Sequence, residues 1–231
     1  MRKKLLYGAL MLLLFLCAPF SQIDLASDIA YSEPVAGPAF VPSDTPVVAD
    51  GIYTLSLISS VGSLTYYNQS DARWAGHLYG GRDPLASYGC GPTVLAMLVS
   101  SFTQQTVTPA QMADWAAANN YWAAGSGTKH NFIPDGAAAW GLQVSSFRNL
   151  SEADVISELA SGHVLVALMG PGHFTSSGHF IIISDYYSGG QVTVADPANL
   201  ENTLIPWDIQ LILNELNSAT DYGGPVWSIS P

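Results

Sequence analysis

The second half of the chain carries apolar runs of strand length that are separated by polar turns. Three of these runs lie at residues 164–169, 179–187 and 191–195 and are rich in β-branched residues, which favours strands. Ser188-Gly189-Gly190 separates the last two runs and predicts a hairpin. A shorter run at 226–229 predicts a closing strand, so this half is expected to form an antiparallel sheet.

The first half shows helical spacing instead. Residues 91–102 place Pro92 in a first helical turn and then bring apolar side chains at the period of a buried helix. Thr108 and Gln111 form a capping-box pattern, which predicts that a second helix starts there. Helices ahead of an antiparallel sheet indicate an α+β fold.

Four further elements complete the predicted order along the chain. A helix is expected at 133–140, and another at 152–160, after Ser151 as its cap. Residues 142–147 alternate as a strand does, and residues 205–216 are predicted to form a helix.

The start of the chain is typical of an export signal. Three basic residues at positions 2–4 precede an apolar run at 5–20, which is short for a membrane span, so residues 1–22 are predicted to be a signal peptide. A single membrane anchor, or a lipid attached at Cys17, are the alternatives. Residues 23–63 are predicted to be a linker or prosegment, with 51–63 left open between an edge strand and part of that prosegment. Residues 64–231 are expected to form one domain.

Charge and motifs exclude several classes of protein. The sequence has 18 acidic and 7 basic residues, and loss of the three basic residues in the signal would bring the net charge to about −14, which argues against nucleic-acid binding. No phosphate-binding loop is present, which argues against an NTPase. No apolar stretch after the signal is long enough for a membrane span. The signal therefore predicts a secreted or cell-surface protein. We also expect the protein to be a monomer.

Cys90 is the candidate nucleophile. Of the two cysteines, Cys17 lies within the predicted signal, which leaves Cys90 without an internal partner. A helix N-terminus lowers the pKa of a thiol there, and Gly89 and Gly91 would let a substrate carbonyl approach the backbone. The alternative is a buried thiol that acts as a small hydrophobic side chain.

Five histidines compete to be the base, and the residues alone leave the choice open. His179 opens a predicted strand directly after Gly178, and His173 lies nearby in a glycine-rich loop. His77 and His130 lie in polar loops, and His163 follows a helix end, where a structural role is expected. No zinc-protease motif of the form His-Glu-x-x-His occurs, and no metal or other cofactor is expected.

Two polar residues are candidates to assist such a pair. Asp196 ends the strand that would lie beside the His179 strand, so its carboxylate can orient an imidazole, although Asp196-Pro197 also fits a simple turn. Gln69 precedes the Cys90 segment and could donate its amide to an oxyanion, but a surface glutamine would look the same.

Four segments in this order resemble the C39-like peptidase family. They are Asn68-Gln69-Ser70-Asp71 with Trp74, Gly89-Cys90-Gly91-Pro92-Thr93, Gly178-His179-Phe180-Ile181, and Val194-Ala195-Asp196-Pro197. The resemblance implies a papain-like fold in which Cys90 is the nucleophile and His179 the base. It also implies that Asp196 orients the imidazole and that Gln69 donates to the oxyanion, and it leaves His173 as a substrate-loop residue.

The expected activity is hydrolysis of a peptide or related amide bond through an acyl-thioester on Cys90. Two alternatives use the same residues: an acyl transferase, and a catalytically silent module that binds peptide or cell-wall material. The sequence does not identify the substrate, because loops form the specificity pocket. Residues 119–131, rich in Gly, Trp and Tyr, are one such loop, and no sequence pattern determines its shape.

Overall fold

The computed structural model describes residues 55–231, with side chains from residue 59 onward. The predicted signal at 1–22, and residues 23–54 of the predicted linker, lie outside the described residues. Within 51–63, residues Leu55–Ser59 form strand β1, which pairs antiparallel with β2 at Gly62–Tyr66. The domain boundary placed at residue 64 stays a prediction.

A six-stranded antiparallel sheet is the centre of the described part. Its strand order is β11-β10-β9-β8-β12-β7. The strands are β7 (Gln143–Ser146), β8 (Val164–Met169), β9 (His179–Tyr187), β10 (Gln191–Ala195), β11 (Trp207–Asp208) and β12 (Val226–Ser230). Two short hairpins lie outside this sheet: β3 (Leu78–Tyr79) with β4 (Asp83–Pro84), and β5 (Trp122–Ala123) with β6 (Gly127–Thr128).

Seven helices lie within residues 55–231. They are α1 (Leu85–Tyr88), α2 (Cys90–Phe102), α3 (Pro109–Ala118), α4 (Phe132–Ala139), α5 (Glu152–Ala160), α6 (Leu200–Thr203) and α7 (Ile209–Asn214). None of the described helices is long and apolar enough to cross a bilayer.

Side chains on α2 and β8 explain how the helices and the sheet pack. Residues 91–99 of α2 are all buried, so this helix is enclosed on every side. Strand β8 is buried on both faces, with Val164, Val166 and Leu168 toward α2 and Leu165, Ala167 and Met169 toward α5 and α7. Burial of a Val or Leu side chain stabilises a fold by about 1.5–3 kcal/mol. The sheet is therefore a middle layer with helices on both sides.

Local sequence signals place several elements correctly. Thr108 and Gln111 form a complete capping box at the start of α3, and Ser151 accepts a hydrogen bond from the Asp154 amide at the start of α5. The strands predicted at 164–169, 179–187 and 191–195 are confirmed, as are the hairpin and the α+β order.

The helix predicted at 205–216 is wrong over much of its length. Trp207 and Asp208 pair with Val192 and Gln191 of β10 as the edge strand β11. Helix α7 begins only after them, where the Asp208 carboxylate accepts from the Gln210 amide as an N-cap. The apolar spacing is helical throughout this segment, but cross-strand hydrogen bonds determine its first part.

Candidate active site

Cys90 is the first residue of α2, as the sequence predicts. The residue is partly exposed, while the helix behind it is buried. The first N–H groups of a helix have no partner within the helix and attract negative charge. The thiol therefore lies at the electropositive end of the central helix.

His179 is the first residue of β9, and its side chain lies between Cys90 and Asp196. The residue is 6% exposed, and its Nε2 lies 2.7 Å from Asp196 Oδ1. The ring also lies beside Cys90, and each of the two groups shifts the pKa of the other. Strand β9 thus brings an imidazole from the sheet to a thiol on the helical side.

The electrostatics of this pair favour charge on both members. Burial raises the pKa of the Cys90 thiol, but the hydrogen bond and charge of His179 lower it, together with the amides of Phe180 and Gly91, and the net direction is downward. For His179, burial acts to lower the pKa, while the bonds to Asp196 and Cys90 outweigh it and raise it to about 10. The arrangement favours a thiolate beside an imidazolium.

Asp196 is fully buried and supplies the negative charge behind His179. Its Oδ1 also accepts from the amides of Ala198 (2.8 Å) and Asn199 (3.2 Å), and its Oδ2 accepts from Asn202 Nδ2 at 2.8 Å. Burial raises the pKa of this carboxyl, but these bonds and the charge of His179 give a net lowering. From the sequence, Asp196 could belong to a simple turn or contact the imidazole. The structure has both features, because amides of the turn and His179 Nε2 contact the same carboxylate.

The main chain of this turn is bonded to residues near the start of the domain. The Tyr66 hydroxyl donates to the Asp196 carbonyl oxygen at 2.8 Å, and the backbone N–H of Gln69 donates to the Pro197 carbonyl oxygen at 2.7 Å. Asn68 Nδ2 in turn donates to the Tyr66 hydroxyl at 3.1 Å. Sequence reasoning missed Tyr66, since a buried tyrosine in a strand carries no signal of its partner.

The Gln69 side chain lies against α1, the short helix directly before Cys90. It is 5% exposed, and its Nε2 donates one N–H to Ala86 O at 2.7 Å. This bond uses one of the two N–H groups of the amide. Oε1 has no hydrogen-bond partner among residues 55–231.

Gly89 and Gly91 are required by internal packing, which the sequence interpretation did not include. A Cβ at Gly91 would lie 2.7 Å from Thr128 Oγ1, and a Cβ at Gly89 would lie 2.5 Å from Leu85 O. The absence of a side chain at Gly91 therefore lets hairpin β5–β6 contact the helix start.

Every histidine faces a carboxylate, so an acidic partner does not distinguish His179. The surface pairs are His77 with Asp114, His130 with Asp221, His163 with Glu158 and His173 with Glu215. Only His179, among these five, is buried and shifts the pKa of Cys90.

Tyr79 is a further side chain near the thiol that the sequence did not indicate. It is fully buried, and its hydroxyl lies 3.3 Å from Thr128 Oγ1. Burial is the main cause that raises the pKa of the Tyr79 hydroxyl, and the charge on Cys90 raises it further. Tyr79 and Thr128 thus connect the Cys90 end of α2 to hairpin β5–β6.

One protein family matches most of the part of the chain that the structure describes. The model of the Peptidase C39 like family matches residues 62–215. The chain belongs to this family. The predicted family is thereby confirmed, and the α+β fold has the papain-like arrangement of a cysteine on a helix facing a histidine and an aspartate on an antiparallel sheet.

Two solved structures are similar to this C39-like chain at 14% identity each. One is the peptidase domain of Streptococcus ComA, a bi-functional ABC transporter involved in quorum sensing, with TM-score 0.47 over 63% of this chain and 93% of that one. The other is a C39-like peptidase from Bacillus anthracis, with TM-score 0.44 over 62% and 89%. No curated protein matches the sequence.

Within residues 55–231, no group of three or more His, Cys, Asp or Glu side chains is arranged to hold a metal ion.

Proposed function

We propose that this protein is an exported cysteine peptidase that hydrolyses a peptide or related amide bond. The observation that carries the proposal is the buried chain of contacts from Asp196 through His179 to Cys90. Membership of the Peptidase C39 like family supports it. Export rests on the pattern of residues 1–22.

This geometry supports the following first half-reaction. The Cys90 thiolate attacks the carbonyl carbon, and the carbonyl oxygen becomes an oxyanion. The backbone N–H groups at the start of α2 and the second N–H of Gln69 are the donors that stabilise that charge. The His179 imidazolium then gives its proton to the leaving amine, and the C–N bond breaks to leave an acyl-thioester on Cys90.

The second half-reaction restores the starting pair. Neutral His179 takes a proton from water, and the resulting hydroxide attacks the thioester carbonyl. The C–S bond breaks, the carboxylic acid leaves, and Cys90 returns as a thiolate beside protonated His179. Asp196 remains ionised throughout and keeps the imidazole oriented, as the aspartate of a Ser-His-Asp triad does.

The test is hydrolysis of a mixed peptide library, followed by mass spectrometry, with Cys90→Ala beside Asp114→Asn as a control, since Asp114 pairs with His77. We expect the Asp114 variant to cut as the wild type does and the Cys90 variant to lose all turnover. Cleavage by Cys90→Ala would contradict the proposal.

Added methylamine separates hydrolysis from acyl transfer. N-methylamide products in place of free carboxylates would identify a transferase. Peptide binding without any turnover by the wild type would identify a silent binding module.

A further inference from the structure

A pocket of about 360 Å³ opens between two segments that are far apart in the sequence. One wall is the β5–β6 hairpin and the turn after it, within residues 123–131. The other wall is Asp221 and Tyr222, which lie in the loop before β12. Segments from the helical part and from the sheet part of the fold therefore face each other across this pocket.

The pocket shares a wall residue with the surroundings of the thiol. Thr128 lines the pocket and is the residue that a Cβ at Gly91, next to Cys90, would meet at 2.7 Å. Its Oγ1 also hydrogen-bonds the Tyr79 hydroxyl near Cys90. Thr128 therefore lies between the pocket and Gly91, the residue next to Cys90.

The hairpin wall is held in place by a buried carboxylate. Asp83 is 4% exposed, and its Oδ2 accepts from Trp122 Nε1 at 2.9 Å and from the Gly125 amide at 2.6 Å. Gly80 packs against the Trp122 ring so closely that a Cβ there would lie 2.2 Å from it. This wall is therefore fixed by contacts with the segment that precedes α1.

The opposite wall presents a carboxylate and an aromatic ring together. The Asp221 side chain is 66% exposed, and Tyr222 is 60% exposed. Tyr222 also has a φ of 52°, a conformation that bulky residues adopt at a cost and that is often retained at functional sites. A carboxylate beside an exposed aromatic face is a combination that binds cations.

Two basic side chains, Lys129 and His130, also line the pocket, and an incoming cation must share Asp221 with His130. His130 Nδ1 lies 3.3 Å from Asp221 Oδ1. Lys129 Nζ donates to Asn120 O at 2.7 Å and to Asn120 Oδ1 at 3.2 Å, and Asn120 does not line the pocket. The excess of 18 acidic over 7 basic residues also favours the approach of cationic peptides.

We propose that this pocket binds a cationic side chain, lysine or arginine, of the peptide substrate close to the scissile bond. Asp221 pairs with the cation, and the Tyr222 ring lies beside it. This inference rests on the proposed peptidase activity and names the substrate class of the same site.

The test uses peptides that carry lysine, arginine, norleucine or glutamate at one position at a time around the bond cut. Asp221→Asn is compared with Asp114→Asn, because the His77–Asp114 pair has the same exposures of 32% and 66% and lies outside the pocket. We expect Asp221→Asn to reduce the ratio of kcat/KM for lysine over norleucine by about 3- to 10-fold, and Asp114→Asn to leave it unchanged.

A second measurement separates this inference from the activity itself. The same peptides are bound to Cys90→Ala and followed by fluorescence anisotropy, with and without Asp221→Asn. Preference for lysine that Asp221→Asn removes supports the pocket even if no peptide is cut. Equal binding of lysine and norleucine peptides, or a preference unchanged by Asp221→Asn, overturns the pocket while Cys90-dependent hydrolysis still stands.

Discussion

Replacement of His179 by alanine is the sharpest test of the proposed pair, because it needs no substrate. The thiol of Cys90 would keep its burial, which is the largest influence on its pKa and acts upward, and would lose the hydrogen bond and charge that oppose it. We therefore expect the pKa of Cys90 to rise in His179→Ala.

The expected size of the effect can be worked out for alkylation by iodoacetamide at pH 6. An ordinary thiol with a pKa of about 8.5 is only about 0.3% thiolate at that pH, whereas a thiolate–imidazolium pair is mostly ionised. A thiolate of lower pKa is also less nucleophilic, which offsets about 15- to 30-fold of that advantage. The wild type should therefore react about 10-fold faster at pH 6, and the two rate curves should cross at about pH 7, where the thiolate fraction of the variant offsets its greater nucleophilicity.

The assay is the alkylation rate from pH 4 to 10 in a Cys17→Ala background, where Cys90 is the remaining cysteine. His173→Ala is the matched control, since His173 pairs with Glu215 rather than with Cys90. Its profile should follow that of the wild type. Superimposed curves for the wild type and His179→Ala would refute an activated thiol.

Two further predictions concern Asp196 and Gly91. Asp196→Asn removes the charge that helps raise the pKa of His179, so kcat/KM should fall by about 10²- to 10⁴-fold. The alkaline limb of its pH profile, expected near pH 10 in the wild type because deprotonated His179 can no longer protonate the leaving amine, should move to lower pH; an unmoved limb would contradict this. Gly91→Ala should lower the free energy of unfolding in urea by about 1–3 kcal/mol, because its Cβ would overlap Thr128. Gly76→Ala, with open space around the new Cβ, should change stability far less, and equal effects of the two variants would contradict the packing argument.

Elements with strong local signals were predictable from the sequence. The Ser151 cap defines the start of α5, and the β-branched run at 164–169 coincides with β8. Trp207 and Asp208 were not predictable as a strand, because their pairing with β10 is a long-range hydrogen-bond pattern. The shape of residues 119–131 was not predictable for the same reason, since Asp83 and Gly80 hold this hairpin from a distant segment.

The sequence predicts the position of Cys90 at a helix start, but it does not determine which of the five histidines lies beside it. The position of Cys90 before Pro92 indicates a helix start, which the structure has. The choice of His179 over four other histidines depended on the family resemblance, because burial against Cys90 is a tertiary property. The bond from Gln69 to Ala86 and the neighbouring Tyr79 are contacts between segments, and single-segment patterns carry no information on them.

The hydrogen bonds from Tyr66 and Gln69 to the Asp196 turn also define how far this chain can be shortened. They join residues as many as 130 positions apart, so the turn behind His179 depends on a segment near the beginning of the domain. A protease that trims the chain ahead of Tyr66 leaves these bonds in place. A cut between Tyr66 and Gln69 separates the two bonds, so the turn loses part of its support wherever the chain is shortened beyond Tyr66.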